Sequence, residues 1–170
     1  MKETVQQYIQ RVTGYVEGKQ PLAVQSATAK KLERLIKGVP IAKLRKRPAP
    51  DKWSVSEIIT HLADTEIIVG YRIRLVLGTP RSPMTVMDQD AWVTSGHYDK
   101  RDPRKSLDLF RVLREANLAL FKSLTPQQWK HYGIHSERGK ETIAYIVRMY
   151  AGHDLNHLQQ IERILSEKRK

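Results

Sequence analysis

The side chains best equipped for chemistry in this chain are histidines, and two of them stand where a helix would bury hydrophobes. The stretch "AGHDLNHLQQIERIL" (151–165) sits in a helical pattern expected from about Glu141 to Glu167. At about 100° per residue, Ile143, Ile146, Val147, Tyr150, Ile161, Ile164 and Leu165 share one face. His153, Asp154 and His157 fall on that same face between them. A bundle helix reads Leu or Ile at such positions, and each unpartnered polar group left in a core costs on the order of 1–3 kcal/mol. Three such choices together need a compensating interaction.

Histidines at i and i+4 lie about 40° apart and about 6 Å along the axis, so both rings can converge on one point. Paired histidines of zinc-binding helices share a metal this way. Two imidazoles make a weak site, so a third ligand must come from elsewhere. His61, in "IITHLADTE" (58–66), is the best candidate. It lies on the flank of the stripe Ile58, Leu62, Thr65, Val69 and Ile73, about 40° from Thr65, within reach of a neighbouring helix. Three neutral imidazoles with an open position suit zinc or nickel and admit iron, copper or manganese. The chain has no cysteine, so no thiolate ligand, cysteine nucleophile or disulfide is available.

Carboxylates close to these histidines are expected in supporting roles. Asp154 or Asp64 can orient a ligand imidazole, Asp154 can instead cap a core polar network, and Glu66 is a further buried-carboxylate candidate. His97, His131 and His135 fall in loop-like sequence and are expected to face solvent, with His97 and His135 placed to line a site mouth. Trp53, Trp92 and Trp129 read as packing residues near helix starts, and Tyr145 and Tyr150 as core or pocket wall. "HDLNH" (153–157) has metalloprotease spacing but carries Asp where a general-base Glu belongs, one methylene too short, and that reading is rejected.

The elements that must position these groups are helical. A first helix is expected over Glu3–Glu17 before Gly18, and a second over Thr28–Lys37 before Gly38 and Pro40. After the basic connector "LRKRPAPDK" (44–52), "WSVSE" (53–57) sets Ser54 as N-cap and Glu57 three residues on, a capping box opening a helix to about Leu77. Asp102 and Pro103 mark N-cap and N1 of a helix ending near Ser123, and Thr125 caps a short turn in "LTPQQW" (124–129). The long segment 78–103 is expected to be irregular around a short helix at 87–95, and a connection of that length usually shapes a site. No alternating strand stands out. The pattern is that of one all-α domain over residues 1–170: a four-helix bundle with antiparallel-compatible loops and extra short helices at the N-terminus and in the 78–103 loop.

The net charge of +12 favours anionic partners. The basic residues are nevertheless dispersed, with the densest clusters at 43–47 and 167–170, and no nucleic-acid motif accompanies them. Nucleic acid is therefore not the expected partner. No run reaches the roughly 18 apolar residues of a membrane span, and the start lacks a signal-peptide core. A cytoplasmic protein is expected.

Two segments carry a family resemblance. "APDKWSVSEIITHLADTE" (49–66), followed by "GHDLNHLQQIERIL" (152–165), resembles the entry and terminal helices of the DinB/YfiT-like superfamily, and the "W…H…RG…T" stretch (129–142) extends the likeness. The resemblance implies a four-helix bundle binding one divalent metal through His61, His153 and His157. Understood members are similar to S-transferases and isomerases that use low-molecular-weight thiols such as bacillithiol or mycothiol; others are candidate metal-dependent hydrolases. The expected function is thus a metal-dependent thiol S-transferase. The alternatives are a hydrolase in which the metal activates water and a non-catalytic metal-binding stress-response module. Arg72 would greet an anionic thiol, the partner would be a small molecule, and a homodimer is compatible with these features.

Overall fold

The computed structural model describes residues 3–166. The basic cluster at 167–170 and the expected helix end at Glu167 lie outside the described residues. The elements are α1 (Val5–Gly14), α2 (Pro21–Ile36), α3 (Ile41–Arg45), α4 (Val55–Gly78), β1 (Pro83–Met84), α5 (Gln89–Ser95), α6 (Pro103–Ser123), β2 (Tyr132–His135), β3 (Gly139–Thr142) and α7 (Ile143–Ser166). Single 3₁₀ turns fall at Tyr98–Lys100 and Gln128–Lys130.

Local chemistry sets the helix starts. The Ser54 hydroxyl accepts from the Glu57 N–H at 3.2 Å, and the Glu57 carboxylate accepts from the Ser54 N–H at 2.7 Å, closing the capping box of α4. Arg47 forks onto the same carboxylate and so ties the basic connector to the helix end. Asp102 accepts from the Arg104 N–H at 2.8 Å with Pro103 in the first turn of α6.

α2, α4, α6 and α7 form the bundle, with α4 against α6 and α7, and α2 against α6 and α7. Each long helix crosses three layers. One apolar end gathers Val69, Ile73, Val76, Leu118, Phe121, Ile143, Ile146 and Val147. The other gathers Leu32, Ile36, Val55, Ile58, Ile59, Phe110, Leu158 and Ile161. Between them lies a buried polar layer of Gln25, Thr28, His61, Thr65, Glu66, Arg114, Asn117, His153, Asp154 and His157. The order in which the helices meet these layers fixes their directions: α4 and α6 run one way, α2 and α7 the other. Neighbouring α4 and α6 are therefore parallel, contrary to the antiparallel connections expected between successive long helices. This explains the long segment after α4, which must travel back along the bundle before α6 can start.

α1 packs across α7 at Gly152, where a Cβ would lie 1.9 Å from the Val12 carbonyl oxygen. Only glycine permits this crossing.

The expectation of no strands is corrected by a small sheet of order β1-β2-β3. β1 pairs parallel with β2 (Pro83↔Ile134), and β2 pairs antiparallel with β3 (Tyr132↔Thr142) around a turn that reaches Gly139 at φ +74°. Strands of two and four residues are too short to show alternation. The hairpin also moves the start of the last helix from 141 to Ile143.

Candidate metal centre

α4 brings His61, and α7 brings His153 and His157, to one point in the polar layer. The rings are buried, at 2 %, 8 % and 7 % exposure. The Nε2 atoms of His61 and His153 lie 3.0 Å apart, those of His153 and His157 3.2 Å apart, and one ligand atom from each residue lies within 4.8 Å of the others. The Trp53 ring, just before the α4 N-cap, packs 4.9 Å from the His61 ring and stacks at 11° and 6.4 Å on the His157 ring. It packs on these two imidazoles, and its meeting with His157 is hidden from the sequence, where a tryptophan before a helix start reads as packing alone.

The electrostatics favour neutral rings. Burial, with His157 beside it, holds His61 well below the usual imidazole range. Burial lowers His153 likewise, helped by His157, His61 and Arg114. Burial pushes His157 down to about 4, with the Gln160 hydrogen bond and Asp154 opposing. The side-chain oxygen of Gln160 lies 3.0 Å from His157 Nδ1, so that nitrogen donates and the inward Nε2 carries a lone pair.

A divalent ion fits this donor set. With each ring proton on the outward Nδ1, as the Gln160 contact sets it for His157, three lone pairs face one another. A cation satisfies all three. The two short separations approach the about 3.3 Å edge of a tetrahedron with metal–nitrogen bonds of about 2.0–2.1 Å. Among the described residues, no further His, Asp or Glu joins the cluster. A cavity of about 380 Å³ borders it, lined by His61, Thr65, Arg72, Tyr150 and His153, by Tyr8 of α1, and by Val86, Met87 and Gln89 of the long segment.

The carboxylates go elsewhere. Asp154 accepts from Arg114 at 2.6 and 3.0 Å and from the Thr28 hydroxyl at 2.8 Å. Glu66 accepts from Arg114 at 2.9 Å and from Asn117 at 3.0 Å. Asp64 accepts from the Tyr98 hydroxyl at 2.6 Å and lies 3.3 Å from Arg101. None of the three makes a hydrogen bond to an imidazole, which corrects the orienting role expected of Asp154 and Asp64. The reason is helical geometry: Asp154 is turned about 100° from His153 and so faces α2 and α6, while Asp64 faces the 3₁₀ turn at 98–100. Gln160, one turn beyond His157, orients that ring instead.

His135 is buried at 1 % exposure in β2, and His131 is half-buried, so the expectation that both face solvent is corrected by the hairpin. His97 is exposed, at φ 49°. No helix among the described residues is long and apolar enough to cross a membrane.

A family model described as the DinB superfamily matches residues 26–161. YfiT of Bacillus subtilis, named as a candidate metal-dependent hydrolase, is 29 % identical over 114 residues, 66 % of this chain and 64 % of that protein. A relative in Oceanobacillus iheyensis, named in the same way, is 27 % identical over 117 residues, 68 % of this chain and 67 % of its own length. The matched segments thus span about two-thirds of these relatives. Among solved structures, YfiT from Bacillus subtilis, described as a four-helix bundle of unusual topology, superposes with TM-score 0.78 at 23 % identity over 96 % of this chain and 88 % of that one. A mycothiol-dependent maleylpyruvate isomerase superposes with TM-score 0.62 at 14 % identity, covering 79 % of this chain and 58 % of that one. At these identities the superpositions show the fold.

Proposed function

This chain belongs to the DinB superfamily, and from that premise we propose that it is a divalent-metal enzyme, with His61, His153 and His157 as ligands, that transfers a low-molecular-weight thiol to a small electrophile. The convergence of three buried, neutral imidazoles beside an open cavity carries the reading. An ion held by His61, His153 and His157 would supply Lewis acidity, the means of acidifying a thiol or a water. The chain's own residues do the rest. Gln160 fixes the His157 tautomer, Trp53 packs on His61 and His157, and the cavity between α1 and the long segment receives the electrophile.

Thiol transfer is preferred to hydrolysis because of where Glu66, Asp154 and Asp64, the carboxylates expected to support the imidazoles, point. Glu66 and Asp154 are consumed by Arg114, and Asp64 by Tyr98 and Arg101, which leaves none of them beside the imidazoles as a general base. A thiol acidified by the ion loses its proton to solvent and attacks as the thiolate, whereas hydrolysis also needs a proton delivered to an amine or alkoxide leaving group, the task of a carboxyl group that first serves as base for the water. The hydrolase alternative draws its support from the names of the relatives. A purely structural ion would take a fourth protein ligand and close the site.

The test is His157→Ala, with metal content and thiol conjugation measured side by side. Loss of bound metal together with loss of conjugation is expected. Full metal stoichiometry in the variant would remove the mechanism, and ester or amide hydrolysis without thiol dependence would favour the alternative.

A further inference from the structure

Arg72, on α4 in the cavity wall, is buried at 5 % exposure. It pairs with no carboxylate among the described residues, where the ion pairs are made by other arginines and a lysine. Its guanidinium donates to the Tyr150 hydroxyl oxygen at 3.1 Å and to the Thr85 carbonyl, and to no other acceptor among the described residues. A buried cation without a counter-charge is costly unless something supplies one. The other buried arginine, Arg114, has two carboxylates. Tyr150 accepts from Arg72, so its own O–H remains free to donate, and its ring lies 5.7 Å from the His153 ring. Both residues line the cavity that His61 and His153 also line.

We infer that Arg72 and the Tyr150 hydroxyl form an oxyanion subsite that seats a carboxylate of the small-molecule substrate, with its reacting group toward His61, His153 and His157. The inference rests on the enzymatic reading above and adds a substrate class to it. A monoanion fits better than a phosphate dianion. Arg72 offers a single positive charge, Arg138 in the same lining is paired with Glu141 at 2.6 Å, and Glu137 lines the cavity as well and disfavours a second negative charge. Glu3, the other acidic residue of the lining, is held by Arg11 at 2.8 Å. The carboxylate can sit on the thiol or on the electrophile, since either would place it in this cavity.

The test uses the metal-loaded protein and calorimetric titration with propionate against neutral propionamide, and with 3-mercaptopropionate against 2-mercaptoethanol. About a tenfold or greater preference for propionate over propionamide is expected, the scale of charge-assisted hydrogen bonds. It should fall to near unity in Arg72→Gln and by several-fold in Tyr150→Phe, and be partly kept in Arg72→Lys. Propionate binding that persists under saturating 2-mercaptoethanol assigns the carboxylate to the electrophile; a preference confined to 3-mercaptopropionate assigns it to the thiol. No carboxylate preference in either pair overturns the subsite. So does a preference that survives Arg72→Gln unchanged, which would place the carboxylate on the bound ion or reflect the net charge of +12. Should Arg72→Gln fail to fold, Tyr150→Phe and Arg72→Lys decide. The thiol-free pair distinguishes failure of the subsite from failure of the function: a preference for propionate in a protein that conjugates no thiol upholds the subsite and sinks the transferase.

Discussion

Stripped of metal, the protein should lose stability on mild acidification because of the three imidazoles. His157 is pushed down to about 4 in the fold, against an ordinary value of 6.5 in the unfolded chain. Above pH 6.5 both states leave the ring neutral, and it has no effect. As pH falls below 6.5 the unfolded chain takes up a proton that the folded one refuses until about pH 4, so unfolding is favoured. At one pH unit above the folded value, near pH 5, His157 alone removes about 2 kcal/mol. His61 and His153 shift in the same direction and deepen the loss. For a chain of this length 2 kcal/mol corresponds to a Tm drop of about 4–8 °C. Thermal unfolding of EDTA-treated protein at pH 7.5, 6.5, 5.5 and 5.0 measures it, with His157→Gln as control; the control should lose about 2 kcal/mol less over that range. Equal stability at pH 7.5 and 5.0, or the same slope in the variant, would refute the burial argument.

Gln160→Ala frees the His157 tautomer and should weaken metal binding about 10–100-fold with the fold retained, as read by competition with a chromophoric chelator. Arg114→Met leaves the Glu66 and Asp154 carboxylates buried without a counter-charge and should cost about 3–5 kcal/mol in urea unfolding. Adding Glu66→Gln and Asp154→Asn should recover much of it, and additive losses would show that the ions do not act as a unit. Gly152→Ala drives a Cβ to within 1.9 Å of the Val12 carbonyl oxygen, so α1 must move; faster amide exchange confined to α1, with a loss of about 1–3 kcal/mol, is expected.

Local chemistry wrote much of this molecule into its sequence. The Ser54 capping box and the Asp102–Pro103 start depend on neighbours a few residues away, and so does the shared face of His153 and His157. The interrupted apolar stripe of the last helix was legible because periodicity is a property of one helix alone. Packing between helices decided the rest. That His61 reaches within 3.0 Å of His153 depends on how α4 lies against α7. The direction of Asp154 depends on where α6 presents Arg114, and the parallel course of α4 and α6 on the order in which the helices stack their apolar ends. Trp53 on His157, Arg72 beside Tyr150 and the pairing of β1 with β2 are likewise products of distant segments meeting, whereas the β2–β3 hairpin is local and its strands are too short to show a pattern. Spacing along a chain reports a side chain's angle about its own helix axis, and it carries no term for which neighbour stands at that angle.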